Sequence, residues 1–158
     1  MASQTELDYT FLEIAFNFSK LSKAIRRKVG CVIVKDGQII SNGFNGTPSG
    51  FDNSCEYLKE ELDLKEGKPL REYNPCNLTT KPEVLHAESN ALMKLARSTN
   101  SSVGSTMYLT CSPCFECAKL IIQSGITRLV YCDDYTSKKG LDLLEKTDII
   151  IVKTLMPR

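Results

Sequence analysis

Two short stretches, His86-Ala87-Glu88 and Pro113-Cys114-Phe115-Glu116-Cys117, constrain this chain more than any other feature. One imidazole and two thiols are three ligands of the kind that zinc binds in a tetrahedron, with the fourth position left to water. For them to hold one ion, segments far apart in the chain must meet at a point, and every other element has to be arranged around that meeting.

The spacing says how they meet. Cys114 and Cys117 stand three apart and share one face of a helix. Ser112 reads as its N-cap, Pro113 as its first position and Gly125 as its stop, so a helix is expected over Cys114 to Ser124. Thiols near a helix N-terminus are favoured as thiolates, the form that binds metal. His86 opens a second helical run, with Ala87, Ala91, Leu92 and Leu95 in apolar period and Pro82 just upstream. Glu88 then lies within reach of a zinc-bound water, where a carboxyl can take a proton and hand it on. Taken alone, Cys-x-x-Cys also fits a structural zinc half-site or a redox pair, and His-x-Glu is a weak signal. Joined in this order and helical context, they favour a catalytic centre.

The rest of the chain sets bounds. A length of 158 residues with 42% hydrophobic composition suits one domain, 1–158. A net charge of +1 offers no general basic field for a polynucleotide, so a small substrate is expected and no nucleic-acid partner. Seven cysteines with neither a signal peptide nor a long apolar segment point to a reducing, cytoplasmic setting without membrane association. Cys31, Cys111 and Cys132 fall in or beside strand-like apolar runs and read as small core residues.

In chain order, Thr5 is expected to cap a helix whose stripe is Leu7, Phe11, Ile14, Phe18, Leu21 and Ile25. Its end carries Lys20, Lys23, Arg26, Arg27 and Lys28, which either complement the helix dipole or bind phosphate. Strands over Val29–Lys35 and Gln38–Phe44 flank an Asp36-Gly37 hairpin turn. The loop Gly43–Gly50, with Asn45 inside it, either permits close backbone approach to a ligand or is simply a loop. A short helix is expected over Cys55–Leu64 within the irregular Phe51–Lys81 stretch. Strands over Ser105–Thr110 and Thr127–Tyr131, a helix over Ser137–Thr147 and a last strand over Asp148–Thr154, buried on both faces, complete the chain. This order predicts an α/β fold, a three-layer α-β-α sandwich with a five-stranded mixed central sheet. The zinc helices should start at carboxyl ends of strands.

The paired pattern is also the signature of zinc-dependent nucleobase deaminases. With Val29-Gly30-Cys31-Val32-Ile33-Val34, Gly43-Phe44-Asn45-Gly46-Thr47-Pro48 and Cys117-Ala118-Lys119-Leu120-Ile121-Ile122 added, the chain resembles the deoxycytidylate (dCMP) deaminases of the cytidine deaminase superfamily across nearly its whole length. The resemblance implies zinc held by His86, Cys114 and Cys117, with Glu88 as proton shuttle. It implies substrate contacts from Asn45, at the sugar, and from Ala87, Ser112 and Tyr135. Arg26, Arg27, Lys28, Phe44 and Gly46 are candidates for phosphate or effector binding. It further implies dCMP as substrate, dCTP as activator and dTTP as inhibitor, Mg2+ accompanying the triphosphate, and a homo-oligomer, a hexamer. Some relatives carry a second, structural zinc that uses additional histidines. His86 is the only histidine here, so a second site would have to be built from cysteines such as Cys55 and Cys76, and none is expected.

Three other readings share part of the pattern. A free-nucleoside cytidine deaminase needs no phosphate site. A tRNA adenosine or single-strand DNA deaminase calls for a basic groove. A non-catalytic zinc module has no use for Glu88 and would close its site with a fourth protein ligand.

Overall fold

In the computed structural model, which describes residues 1–59 and 68–155, the polypeptide alternates strands and helices around one mixed sheet. Helix α1 (Gln4–Ser19) comes first, followed by β1 (Gly30–Lys35), β2 (Gln38–Phe44), β3 (Glu56–Leu58) and β4 (Leu78–Thr80). Then α2 (Ala87–Ala96), β5 (Thr106–Cys111), α3 (Phe115–Gln123), β6 (Arg128–Asp133), α4 (Lys139–Leu144) and β7 (Ile150–Lys153) alternate to the end. The five-stranded sheet has the order β2-β1-β5-β6-β7; its first two pairings are antiparallel and its last two parallel. The expected mixed sheet is therefore present.

The three layers follow from the two-residue period of the strands. Cys31, Ile33, Met107, Leu109, Leu129 and Tyr131 point to one face and pack with Ala91, Leu95, Ala118, Ile121 and Leu144 of the later helices. Val32, Val34, Tyr108, Val130 and Cys132 point to the other and meet Phe11, Leu12 and Ala15 of α1. Strands covered on both faces lose polar alternation, which is why they read as continuous apolar runs. The Asp36-Gly37 hairpin forms as expected: Lys35 pairs with Gln38, and both turn residues have positive φ, 50° and 75°. No described helix is long and apolar enough to cross a membrane.

Several boundaries differ from the expectations, each for a stated cause. The cap of α1 is Ser3, whose Oγ accepts from Glu6 N–H while the Glu6 carboxylate accepts from Ser3 N–H, a reciprocal pair that Thr5 does not make. The same helix stops at Ser19, well short of Lys28. Beyond it the Ala24 amide donates to Ser22 Oγ, and the Ile25 and Arg26 amides donate to Glu56 Oε1. Side-chain oxygens have captured donors that a helix would need. The basic run is thus a loop, and the dipole explanation for it falls away.

Residues 55–59, expected to be helical, contain β3 instead, paired antiparallel with β4; residues 60–64 of that expectation lie outside the described residues. Pairing and the burial of Glu56 and Leu78 override local helix preference. The last strand is not buried on both faces: β7 is the sheet edge and Ile150 is 59% exposed.

Candidate active site

The site is built at two helix N-termini. His86 is the N-cap of α2 in extended conformation, and its ring makes no capping bond, which leaves it turned toward the thiols. Cys114, not Ser112, is the N-cap of α3; its Sγ accepts from the Cys117 amide at 3.5 Å. The Ser112 hydroxyl is occupied elsewhere, accepting from the Tyr135 amide at 2.8 Å. Two glycines let the elements close in. A Cβ at Gly43 would run into the Ala87 carbonyl, and one at Gly140 into the Pro113 carbonyl, so β2 seats α2 and α4 seats the Cys114 turn by backbone contact.

His86 Nδ1 lies 3.4 Å from Cys114 Sγ and 3.4 Å from Cys117 Sγ, and the three donors all fall within 4.8 Å of one another. Tetrahedral zinc, with bonds of roughly 2.0–2.1 Å to nitrogen and 2.3 Å to sulfur, separates such donors by about 3.6 Å. The donor set fits zinc in type, number and spacing. Hydrogen bonding from Cys117 and from His86 holds the Cys114 thiol down at about 4, so a thiolate is ready there. Cys117 is pushed up by the shared hydrogen bond with Cys114 and by burial, and the pair shares one proton. His86 is raised by its hydrogen bond with Cys114.

Glu88 is 4% exposed, and burial pushes its carboxyl up to about 7. With His86 and Cys114 it lines a cleft of about 320 Å³, large enough for a small ligand, while Cys117 is buried next to them. Asn45, Ala87, Ser112 and Tyr135 line the cleft as expected, and so do Arg26 and Arg27. Lys28, Phe44 and Gly46 do not. Lys28 is exposed, the Phe44 carbonyl accepts from Asn90 Nδ2, and the Gly46 amide donates to the Leu85 carbonyl. Together with the Asn45 amide, which donates to the Val29 carbonyl, this removes backbone donors that the Gly43–Gly50 loop was expected to offer a phosphate. Asn45 itself is a clamp: Oδ1 accepts from Val29 N–H and Nδ2 donates to the Arg27 carbonyl, tying the end of β2 to the arginine loop.

Sequence reasoning missed several wall residues. Glu56 and Thr80 line the cleft from β3 and β4, and Thr80 Oγ1 accepts from Arg26 Nη1 at 3.1 Å. Cys111, read as core, also faces the cleft; Arg27 Nη1 lies 3.0 Å from its Sγ and 3.3 Å from the Asp134 carbonyl. The only early signal was its place three residues before Cys114.

Residues 5–133 match the family described as the cytidine and deoxycytidylate deaminase zinc-binding region. The chain belongs to this family. Its donor triad and Glu88 lie inside the matched region, whereas Tyr135 falls just beyond it. Among relatives of this deaminase family member, the deoxycytidylate deaminase of Enterobacteria phage T4 is 39% identical over 154 residues, 82% of this chain and 79% of that protein. The deoxycytidylate deaminase of Mycobacterium phage D29 is 35% identical over 129 residues, 82% of this chain and 96% of that one. The crystal structure of dCMP deaminase from the cyanophage S-TIM5 in complex with dCMP and dUMP superposes with a TM-score of 0.81 at 36% identity, covering 97% of this chain and 100% of that chain.

Proposed function

We propose that this chain, acting as a single domain over 1–158, hydrolyses dCMP to dUMP and ammonia. The observation that carries the reading is one cleft with a His-Cys-Cys triad beside a buried carboxyl, and with Arg26 and Arg27 also in its wall. The names of its relatives support the choice of nucleotide.

In this reading His86, Cys114 and Cys117 hold zinc. When bound, zinc supplies a Lewis acid that brings the pKa of water from about 15.7 towards about 7. Glu88, kept from bulk water, takes a proton from the attacking water and passes it to ring N3 as the oxygen bonds to C4. It then moves the second proton to the exocyclic amine, which leaves as ammonia. Arg26 and Arg27, donors only, take the 5′-phosphate. Ser112 acts indirectly, through its bond to the Tyr135 amide, by holding the Tyr135 segment over the substrate. The Asn45 clamp keeps the arginine loop in register with the sugar.

Family resemblance also supports activation by dCTP with Mg2+, inhibition by dTTP, a hexameric assembly and a cytoplasmic location. Exposed Lys28 is the basic group we assign to the effector, since the Phe44 carbonyl and the Gly46 amide are already bonded within the chain. Rates at sub-saturating dCMP with each triphosphate test the regulation; hyperbolic kinetics unchanged by both remove it. Light scattering tests the assembly.

The deciding assay compares dCMP, deoxycytidine, CMP and dCTP on the zinc-loaded chain. Strong preference for dCMP is expected, because a site built for phosphate leaves its donors unpaired without one. Equal efficiency on deoxycytidine would reassign the chain to nucleoside deamination.

A further inference from the structure

Lys153 ends the edge strand β7 and does not line the cleft, yet a chain of bonds ties it to the cleft wall. Its Nζ lies 2.6 Å from Asp134 Oδ2, with both side chains about half exposed. The Asp134 carbonyl accepts from Arg27 Nη1 at 3.3 Å, and the following amide, that of Tyr135, donates to Ser112 Oγ at 2.8 Å. That carbonyl and that amide belong to one rigid peptide plane, which is thus stretched between Ser112 on one side and Arg27 on the other.

Arg27 Nη1 has a second acceptor in Cys111 Sγ at 3.0 Å, but a thiol accepts weakly, so the carbonyl sets where the guanidinium points. The direction of the carbonyl depends on what holds its residue. Ser112 anchors the flanks of Asp134, taking the Tyr135 amide with its hydroxyl and giving its own amide to the Asp133 carbonyl. The Asp134 side chain, on an exposed turn, is bonded among the described residues to Lys153. We infer that Lys153 is a positioning residue: its ion pair with Asp134 fixes the peptide plane whose carbonyl aims Arg27 at the 5′-phosphate of the nucleotide. The inference rests on the nucleotide deaminase reading above. An ion pair this exposed contributes little to stability, so its effect is felt in substrate binding and not in folding.

The test measures kcat and KM for dCMP and for deoxycytidine on the zinc-loaded full chain of wild type, Lys153→Met and Lys153→Arg. Lys153→Met keeps the apolar stem and removes the charge. Its KM for dCMP is expected to rise about three- to tenfold, with kcat within about twofold of wild type, as for an interaction made equally in the ground and transition states. Deoxycytidine, which brings no phosphate, should be used with unchanged kcat/KM. The thermal midpoint should stay within about 2 °C of wild type. Lys153→Arg, which can still bond the Asp134 carboxylate, should return KM for dCMP to the wild-type value. A KM for dCMP unmoved by Lys153→Met, an equal loss on both substrates, or a KM that Lys153→Arg leaves raised overturns the inference. Failure of the nucleotide reading is separately visible in wild type, as equal use of dCMP and deoxycytidine, and takes the inference with it. A wild-type preference for dCMP that Lys153→Met retains in full removes the role of Lys153 alone.

Discussion

At the residue scale, the site separates holding a metal from moving a proton. Glu88 is absent from the donor triad but buried beside it. Glu88→Ala should keep about one zinc per chain and lose at least ~10²-fold in turnover, the size of a general acid–base contribution. Cys114→Ala should lose the zinc itself, with stability, because ligand binding and folding are coupled. Metal analysis alongside the rate distinguishes the two; substantial turnover by the Glu88 variant would sink the mechanism. Asn45→Ala breaks two hydrogen bonds that hold the arginine loop, so KM for dCMP should rise. Its thermal midpoint should fall as well, for a loss of stability on the order of 1–3 kcal/mol from the two broken bonds. An unchanged midpoint with raised KM would mean that Asn45 acts on substrate alone.

At the scale of elements, the triad depends on how tightly β2 seats α2. Gly43→Ala would push a methyl into the Ala87 carbonyl at the first turn of that helix, next to His86 and Glu88. Such overpacking costs about 1–3 kcal/mol or more, and the shift should weaken zinc retention. Denaturant midpoints together with competition for zinc by a chelator would check it. An alanine variant with wild-type stability and zinc affinity would show that the helix tolerates the displacement. The corresponding contact at Gly140 acts on the other half of the triad, through the Pro113–Cys114 backbone.

At the scale of the molecule, α1 is locked to the sheet by charge as well as by apolar packing. Arg128 reaches Asp8 with two hydrogen bonds of 2.7 and 2.6 Å, and Tyr108 adds a third at 2.9 Å. Burial pushes Asp8 up, but bonds from Arg128, Gln4 and Tyr108 outweigh it and hold the carboxyl below its ordinary range. A depressed carboxyl contributes stability that is complete above the unfolded value of about 3.9 and is lost as pH falls through the folded one. Asp8→Asn should therefore cost on the order of 3 kcal/mol at neutral pH by leaving Arg128 unpaired. The gap to wild type should narrow below about pH 4; thermal melts of both proteins from pH 7 to pH 3 measure it, and a pH-independent gap would refute the electrostatic account. Stripping zinc with a chelator should lower the midpoint by about 5–10 °C, since metal bound to the folded state alone stabilises it by mass action.

Period and spacing are local, and what they report was readable from the chain. The strands β1, β5 and β6 showed as strand-like runs, the hairpin as Asp36-Gly37, and the meeting of two helix N-termini as His86 with Cys114 and Cys117, whereas burial on both faces was expected of the last strand and belongs to β1, β5 and β6 instead. What the chain did not reveal depends on partners distant in sequence. Glu56 took the amides of Ile25 and Arg26, thirty and more residues before it, ended the basic helix early and turned its charges into a cleft wall. Leu78, Thr79 and Thr80 drew a helix-prone stretch into a strand. Cys111 lines the cleft, where Arg27, 84 residues before it, lies against its Sγ. Side-chain acceptors that compete for backbone donors across such separations leave no periodic trace, so only the folded chain could decide which of these residues the substrate meets.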